Sequence, residues 1–249
     1  MCASQFEIQS GKPNNDESMR SQPLRTSLEA LPFLLQLASP ALPVGAYSYS
    51  EGLEFLIDNG MLTTATALEH WLNKELSYGA MRLETAVIVR VHRAMMAQDI
   101  ATIRHWNHWL SAIRDTQELR EQSWQMGQAL ARLLRSLEPE LVSLLDQIGT
   151  PHNFATTFAI TAVQWQIGIE TTLLGYLHSW ISNLVNAGIK LIPLGQTAGQ
   201  SLLIQLYPTL QQTVQACLEL DDDDLYSCSW GTAIASMNHE TLYSRLFRS

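Results

Sequence analysis

The side chains with the plainest capacity for chemistry are histidines. His105 and His108 stand three residues apart, the spacing that brings two imidazoles to one side of a helix and toward one metal ion. No cysteine or carboxylate at ligand spacing completes the set, so the pair reads as surface histidines. A free-standing helical metalloenzyme built on the two with an acidic partner is the rival function. His239-Glu240 is followed by threonine and leucine, and no second histidine stands where a zinc helix requires one. Asp221 to Asp224 read as a solvated acidic loop, since four consecutive carboxylates do not converge on one ion. There is no Gly-x-x-x-x-Gly-Lys-Ser/Thr loop for a nucleotide phosphate and no Gly-x-Ser-x-Gly elbow for a nucleophile. The expectation is a chain with no catalytic residue, no resident metal and no cofactor.

A different chemistry is written at the end of the chain. Tyr243, Ser244, Arg245, Leu246, Phe247 and Arg248 bring together the aromatic, aliphatic and arginine side chains typical of interface hot spots. Helical spacing would pair Leu242 with Leu246 and Tyr243 with Phe247, leaving Arg245 and Arg248 on another face. The residues of 239–249 are therefore expected to form a helical tail that orders on a partner.

Two rigid turns position the rest. In Leu34 to Gly60, Pro40 ends an apolar run, because the residue before a proline is pushed out of the helical region. Pro43 and Gly45 follow, and Ser48-Tyr49-Ser50-Glu51 has the spacing of a capping box for a helix from Gly52 to Asn59, closed at Gly60. The second turn is Pro193-Leu194-Gly195, after which Gln196 and Gln200 lie one helical turn apart and Gly199 permits a close approach.

From Leu28 on the apolar period is helical almost everywhere. Thr66 and Asp99 are the predicted caps of the next helices, 83–97 is rich in valine and alanine, and Asp115 to Leu137 makes a long amphipathic helix. His152 to Gln166 and Ile169 to Leu191 carry few charges and are expected deep in the core. Tyr207-Pro208 is expected to split Gln196–Leu206 from Pro208–Leu220. No segment alternates with period two for long enough to need a sheet. The predicted fold is all-α, a single-domain bundle of about ten helices. It divides into a disordered extension over 1–27, a helical body over 28–238 and the tail over 239–249.

Composition bounds the partners. Charged residues make up 16% of the chain, below the roughly 25% of an average domain, which points to an extended apolar surface. The net charge of −9 argues against nucleic acid. No apolar run is long enough to cross a membrane. Cys2, Cys217 and Cys228 form no CxxC pair and no signal peptide is visible, so a reducing, cytoplasmic setting is expected.

The elbow also carries a resemblance. SPALPVGAYSYSEGLE resembles the signature of the F-type urease accessory proteins, the UreF family, at Ser39, Pro40, Leu42, Pro43, Gly45, Tyr47, Ser48, Ser50, Gly52, Leu53 and Glu54. Pro193-Leu194-Gly195-Gln196 with Gly199-Gln200 is similar to a second family motif. The closing His239-Glu240, Tyr243-Ser244-Arg245-Leu246-Phe247 and Ser249 are similar to a third. Lys190 stands where the family usually has arginine, which keeps the charge and loses the planar fork. The resemblance implies a dimeric helical scaffold that binds the D-type (or H-type) accessory protein, UreD/UreH, and recruits the GTPase UreG. That assembly meets apo-urease for GTP-dependent nickel insertion, with nickel only in transit and GTP bound by the partner. Carried onto this sequence, Tyr243, Arg245, Leu246, Phe247 and Arg248 would anchor UreD/UreH. Tyr47, Ser48, Ser50 and Glu54 would shape the elbow surface, and Lys190, Gln196 and Gln200 would support the dimer or the GTPase face. A generic helical interaction module outside urease biology is the remaining alternative.

Overall fold

The computed structural model describes residues 27–249, so the extension expected before Leu28 lies outside the described residues apart from the backbone of Ser27. Among the described residues there are eleven α-helices and no strand: α1 (Ser27–Leu37), α2 (Leu53–Asp58), α3 (Ala65–Tyr78), α4 (Ala80–Met96), α5 (Ile100–Ile113), α6 (Gln117–Leu137), α7 (Val142–Ile148), α8 (Phe154–Gln164), α9 (Ile169–Leu191), α10 (Gln196–Glu219) and α11 (Trp230–His239).

The bundle is built round α4, which packs against α3, α5, α8, α9 and α10. A helix surrounded on so many sides must be apolar on most of its circumference. Accordingly Ala86, Val87, Ile88 and Val89 are consecutive and all buried. In α8 every residue from Phe154 to Ala162 is buried, as its lack of charge requires. At one end of the bundle α2 lies between α9 and α11, and α11 also touches α6.

Asp99 caps α5 as expected, its Oδ1 accepting the Thr102 N–H at 3.0 Å. Two other starts differ from the sequence reading. α3 is capped by Thr64, whose hydroxyl accepts the Ala67 N–H at 3.2 Å, two residues before the threonine that the box pattern selected. The Ser48–Glu51 box does not form. Gly52 (φ 80) precedes α2 instead, and a Cβ there would lie 2.8 Å from the Ser236 backbone nitrogen. Only glycine combines the left-handed turn with that contact to α11.

α10 is a single helix, not two. Pro208 lies inside it. Its ring removes one hydrogen bond and leaves the Ile204 carbonyl free, yet Pro208 and Ile204 both face outward, where water replaces the bond. Leu202, Leu206, Leu210 and Val214 keep an unbroken buried stripe along the other side.

Candidate partner-binding site

The largest departure from the sequence reading is the tail. After α11 the chain turns and runs without helix to Ser249. Helical spacing is a local property; here a distant carboxylate takes the backbone donors instead. Glu54, buried at the start of α2, accepts the Leu246 N–H at 2.7 Å through Oε1 and the Phe247 N–H at 3.0 Å through Oε2. Ser50 completes the bracket: its N–H and its hydroxyl both donate to the Ser249 main-chain oxygen at 2.6 Å. The Arg248 N–H donates to the Ser48 carbonyl at 2.8 Å. Elbow and tail, nearly two hundred residues apart, form one polar seam.

His239 secures the hinge of this seam. Its ring is fully buried, with Nε2 3.1 Å from Glu54 Oε2 and Nδ1 3.3 Å from Glu118 Oε2. Arg245 reaches the other oxygen of Glu118 at 3.3 Å. Burial raises the Glu118 carboxyl above its ordinary pKa, while the neighbouring His239 and Arg245 pull it back.

α11 is held to the body by the same kind of contact. Its buried residues are Thr232, Ala233, Ala235, Ser236 and His239. The Thr232 hydroxyl donates to Glu75 Oε1 at 2.5 Å, and Ser236 and Thr116 share a hydrogen bond of 2.8 Å. Burial pushes the Glu75 carboxyl up to about 7, so it is largely protonated below neutral pH. The large apolar residues point the other way: Trp230 is 76% exposed, Ile234 52% and Met237 50%. Their spacing of four and three residues sets them along one face. Tyr243 and Leu246 are also exposed. The helix is thus inverted, polar and small toward the protein, bulky and apolar toward solvent.

The elbow residues therefore divide. Ser50 and Glu54 are buried fasteners of the tail, and Ser48 spends its hydroxyl on the Gly45 carbonyl at 2.7 Å. Tyr47 stands out into solvent. In the tail, Phe247 is buried rather than presented, and the Lys190 ammonium lies 5.6 Å from its ring centre. Ser244, Arg245 and Arg248 are exposed. Phe247, Tyr47 and Lys190 rim a cavity of about 260 Å³ whose floor includes Glu51, Glu84 and Arg114. Glu51 accepts from Trp180 Nε1 at 2.9 Å and Gln122 Nε2 at 2.8 Å, and its burial raises its pKa.

Gln196 and Gln200 are exposed one turn apart on α10, and Gln196 lies at the rim of that cavity. Gly199 is buried beside them, and a Cβ there would lie 2.2 Å from Ile189 Cδ1 of α9, so the close approach of the two helices requires glycine. His105 and His108 are exposed on α5, and among the described residues no group of three histidine, cysteine or acidic side chains is placed to hold a metal ion. His152 does not cap α8; Asn153 stands there. The His152 ring is buried with Nε2 3.1 Å from the Leu145 carbonyl, and that burial lowers its pKa. No helix among the described residues is long and apolar enough to cross a membrane.

With the seam and the elbow in place, similarity to known proteins is informative. A family model described as UreF matches residues 62–207. The chain is 56% identical over 216 residues to the urease accessory protein UreF of Trichormus variabilis, covering 87% of this chain and 94% of that relative. The chain belongs to the UreF family. The UreF of Microcystis aeruginosa is 57% identical over 216 residues (87% and 96% covered), and that of Alkalilimnicola ehrlichii 43% over 219 residues (87% and 94%). The family-model match begins after the elbow and ends before the tail, so the seam lies on segments outside it.

The sequence reading missed the outer face of α11. Trp230, Ile234 and Met237 were legible at helical spacing, but only their exposure separates an outward stripe from a core stripe. Glu75 and Glu118 carry no local signal, since their partners Thr232 and His239 lie 157 and 121 residues away.

Proposed function

We propose that this chain is a non-catalytic adaptor in urease maturation, working in the cytoplasm as a homodimer. It binds the accessory protein UreD/UreH, recruits the GTPase UreG, and with them meets apo-urease for GTP-dependent nickel insertion. Nickel is cargo and GTP is the partner's ligand; the adaptor needs no cofactor of its own. Membership of the UreF family supports this reading, and one observation carries its mechanical part. α11 turns Trp230, Ile234 and Met237 to solvent while small and polar side chains hold it to the body. A row of exposed bulky apolar residues is stabilised by covering it. Together with Tyr243 and Leu246 it is the proposed UreD/UreH surface. Ser50, Glu54, Phe247 and the backbone of Arg248 act behind it by fixing the tail.

The homodimer face is assigned to α9 and α10. Leu174, Ile204 and Tyr207 are exposed there, and the His178 and Tyr207 rings lie 6.0 Å apart across the two helices. Gln196 and Gln200 belong to the first turns of the same α10 and support this dimer or the GTPase face.

Co-expression with candidate UreD/UreH and UreG, followed by sizing of the complex, tests the reading. The native chain is expected to give a complex with UreD/UreH that captures UreG. Ile234→Asp with Met237→Asp, or removal of residues 240–249, is expected to abolish it while leaving the circular dichroism of the body intact. A tight complex retained by both variants overturns the assigned surface. Stoichiometric metal in the isolated native chain would favour the metalloenzyme instead.

A further inference from the structure

A second surface lies beside the elbow, apart from the outer face of α11. The segment Pro43 to Tyr49 and the adjoining face of α6 wall an open groove of about 580 Å³. Tyr47 and Trp124 give it aromatic surface, Gln125 and Gln128 give it amides, and Arg132 and Arg248 give it charge. Among the described residues no aspartate or glutamate lines it. In a chain with 24 acidic and 15 basic residues, that is a local reversal of the overall field.

The two arginines are available. Arg132 is exposed and makes no hydrogen bond or ion pair within the described residues. The Arg248 backbone is fixed by the Ser48 carbonyl, but among the described residues its guanidinium makes only a 3.4 Å contact to Gln125 Oε1. That oxygen already accepts the Tyr49 hydroxyl at 2.8 Å. Docking of the tail therefore delivers a guanidinium to the groove without neutralising it. Planar guanidinium forks match carboxylates in geometry and charge, and aromatic side chains beside arginine are typical of peptide-recognising surfaces. Nucleic acid is a poor occupant, because two arginines on a molecule of net charge −9 replace few counterions.

We propose that this groove binds an acidic peptide segment of a partner protein, its carboxylates on Arg132 and Arg248 and an aromatic or apolar side chain between Tyr47 and Trp124. The test is fluorescence anisotropy of the full chain with a dye-labelled peptide of glutamates and aspartates around a central tyrosine. The glutamine–asparagine counterpart of that peptide is the control. The native chain binds the acidic peptide, binds it less well as salt is raised, and ignores the control. Arg132→Gln with Arg248→Gln weakens binding by about tenfold or more, with unchanged circular dichroism because both side chains are exposed. Arg104→Gln, on α5, leaves binding unchanged. No binding by the native chain, equal binding of the two peptides, or native affinity in the double variant overturns the proposal. So does a change of oligomeric state in the double variant without peptide binding by the native chain, which would assign the groove to a second copy. Binding is read on the isolated chain, so its failure leaves the UreD/UreH surface untouched, and the converse holds.

Discussion

α8 and α11 are helices of 11 and 10 residues held in opposite ways. From Phe154 to Ala162 α8 is buried on all sides, and its depth follows from removing Phe154, Phe158 and Ile160 from water, although Asn153 and Ser123 also fix its start by hydrogen bonds. α11 rests on hydroxyls, two alanines and a histidine, and keeps its bulky side chains outside. Apolar burial is non-directional, so it fixes that a helix is inside and little else. The polar contacts of α11 are few and directional. They fix which face meets the body, and so which face is turned to solvent.

This contrast can be broken from either side. Phe158→Ala should have the largest effect, about 3–5 kcal/mol of lost stability from the vacated volume, read as a lower midpoint in urea denaturation. An unchanged midpoint would mean that α8 is not held by packing.

Glu75→Gln tests the polar side through pH. With its folded pKa near 7 and a reference of 4.5, Glu75 keeps its proton in the folded chain after the unfolded chain has released it. Folding stability therefore falls as pH rises from about 4.5 to 7, by about 3 kcal/mol from this group. The amide variant should lose that part of the pH dependence, measured by denaturation at a series of pH values.

Glu54→Ala is expected to act locally, costing about 1–3 kcal/mol through the buried donors it strands. Hydrogen exchange should quicken at the Leu246 and Phe247 amides while α8 stays protected. Equal acceleration in both would deny the seam its separate character. Ile234→Asp should do least to the isolated chain, within about 0.5 kcal/mol, because its side chain already faces water. Marked destabilisation would show that α11 is packed on its outer face after all.

Much of the fold was legible because helix period and caps are local. α9 was bounded at the same residues in sequence and structure, and Asp99 caps the helix that its position announced. Pro208 misled because it lies on the outer side of α10, where water takes up the freed carbonyl, and sequence does not say which side is wet. The tail misled for a related reason: its spacing fits a helix, but the Glu54 carboxylate competes for its amides from 192 residues away. The matching residues of the elbow were found as a motif; that Ser50 and Glu54 act by gripping the tail was not readable from them.

The sequence by itself determined the helical class, most helix boundaries, the family, and the presence of an unusual elbow and tail. These rest on short-range preferences and on residue identities. Only the tertiary structure decided that elbow and tail are one object, and that α11 is mounted with its apolar face outward. Both depend on which carboxylates and hydroxyls meet across the bundle, and a directional bond between distant residues leaves no period in the chain.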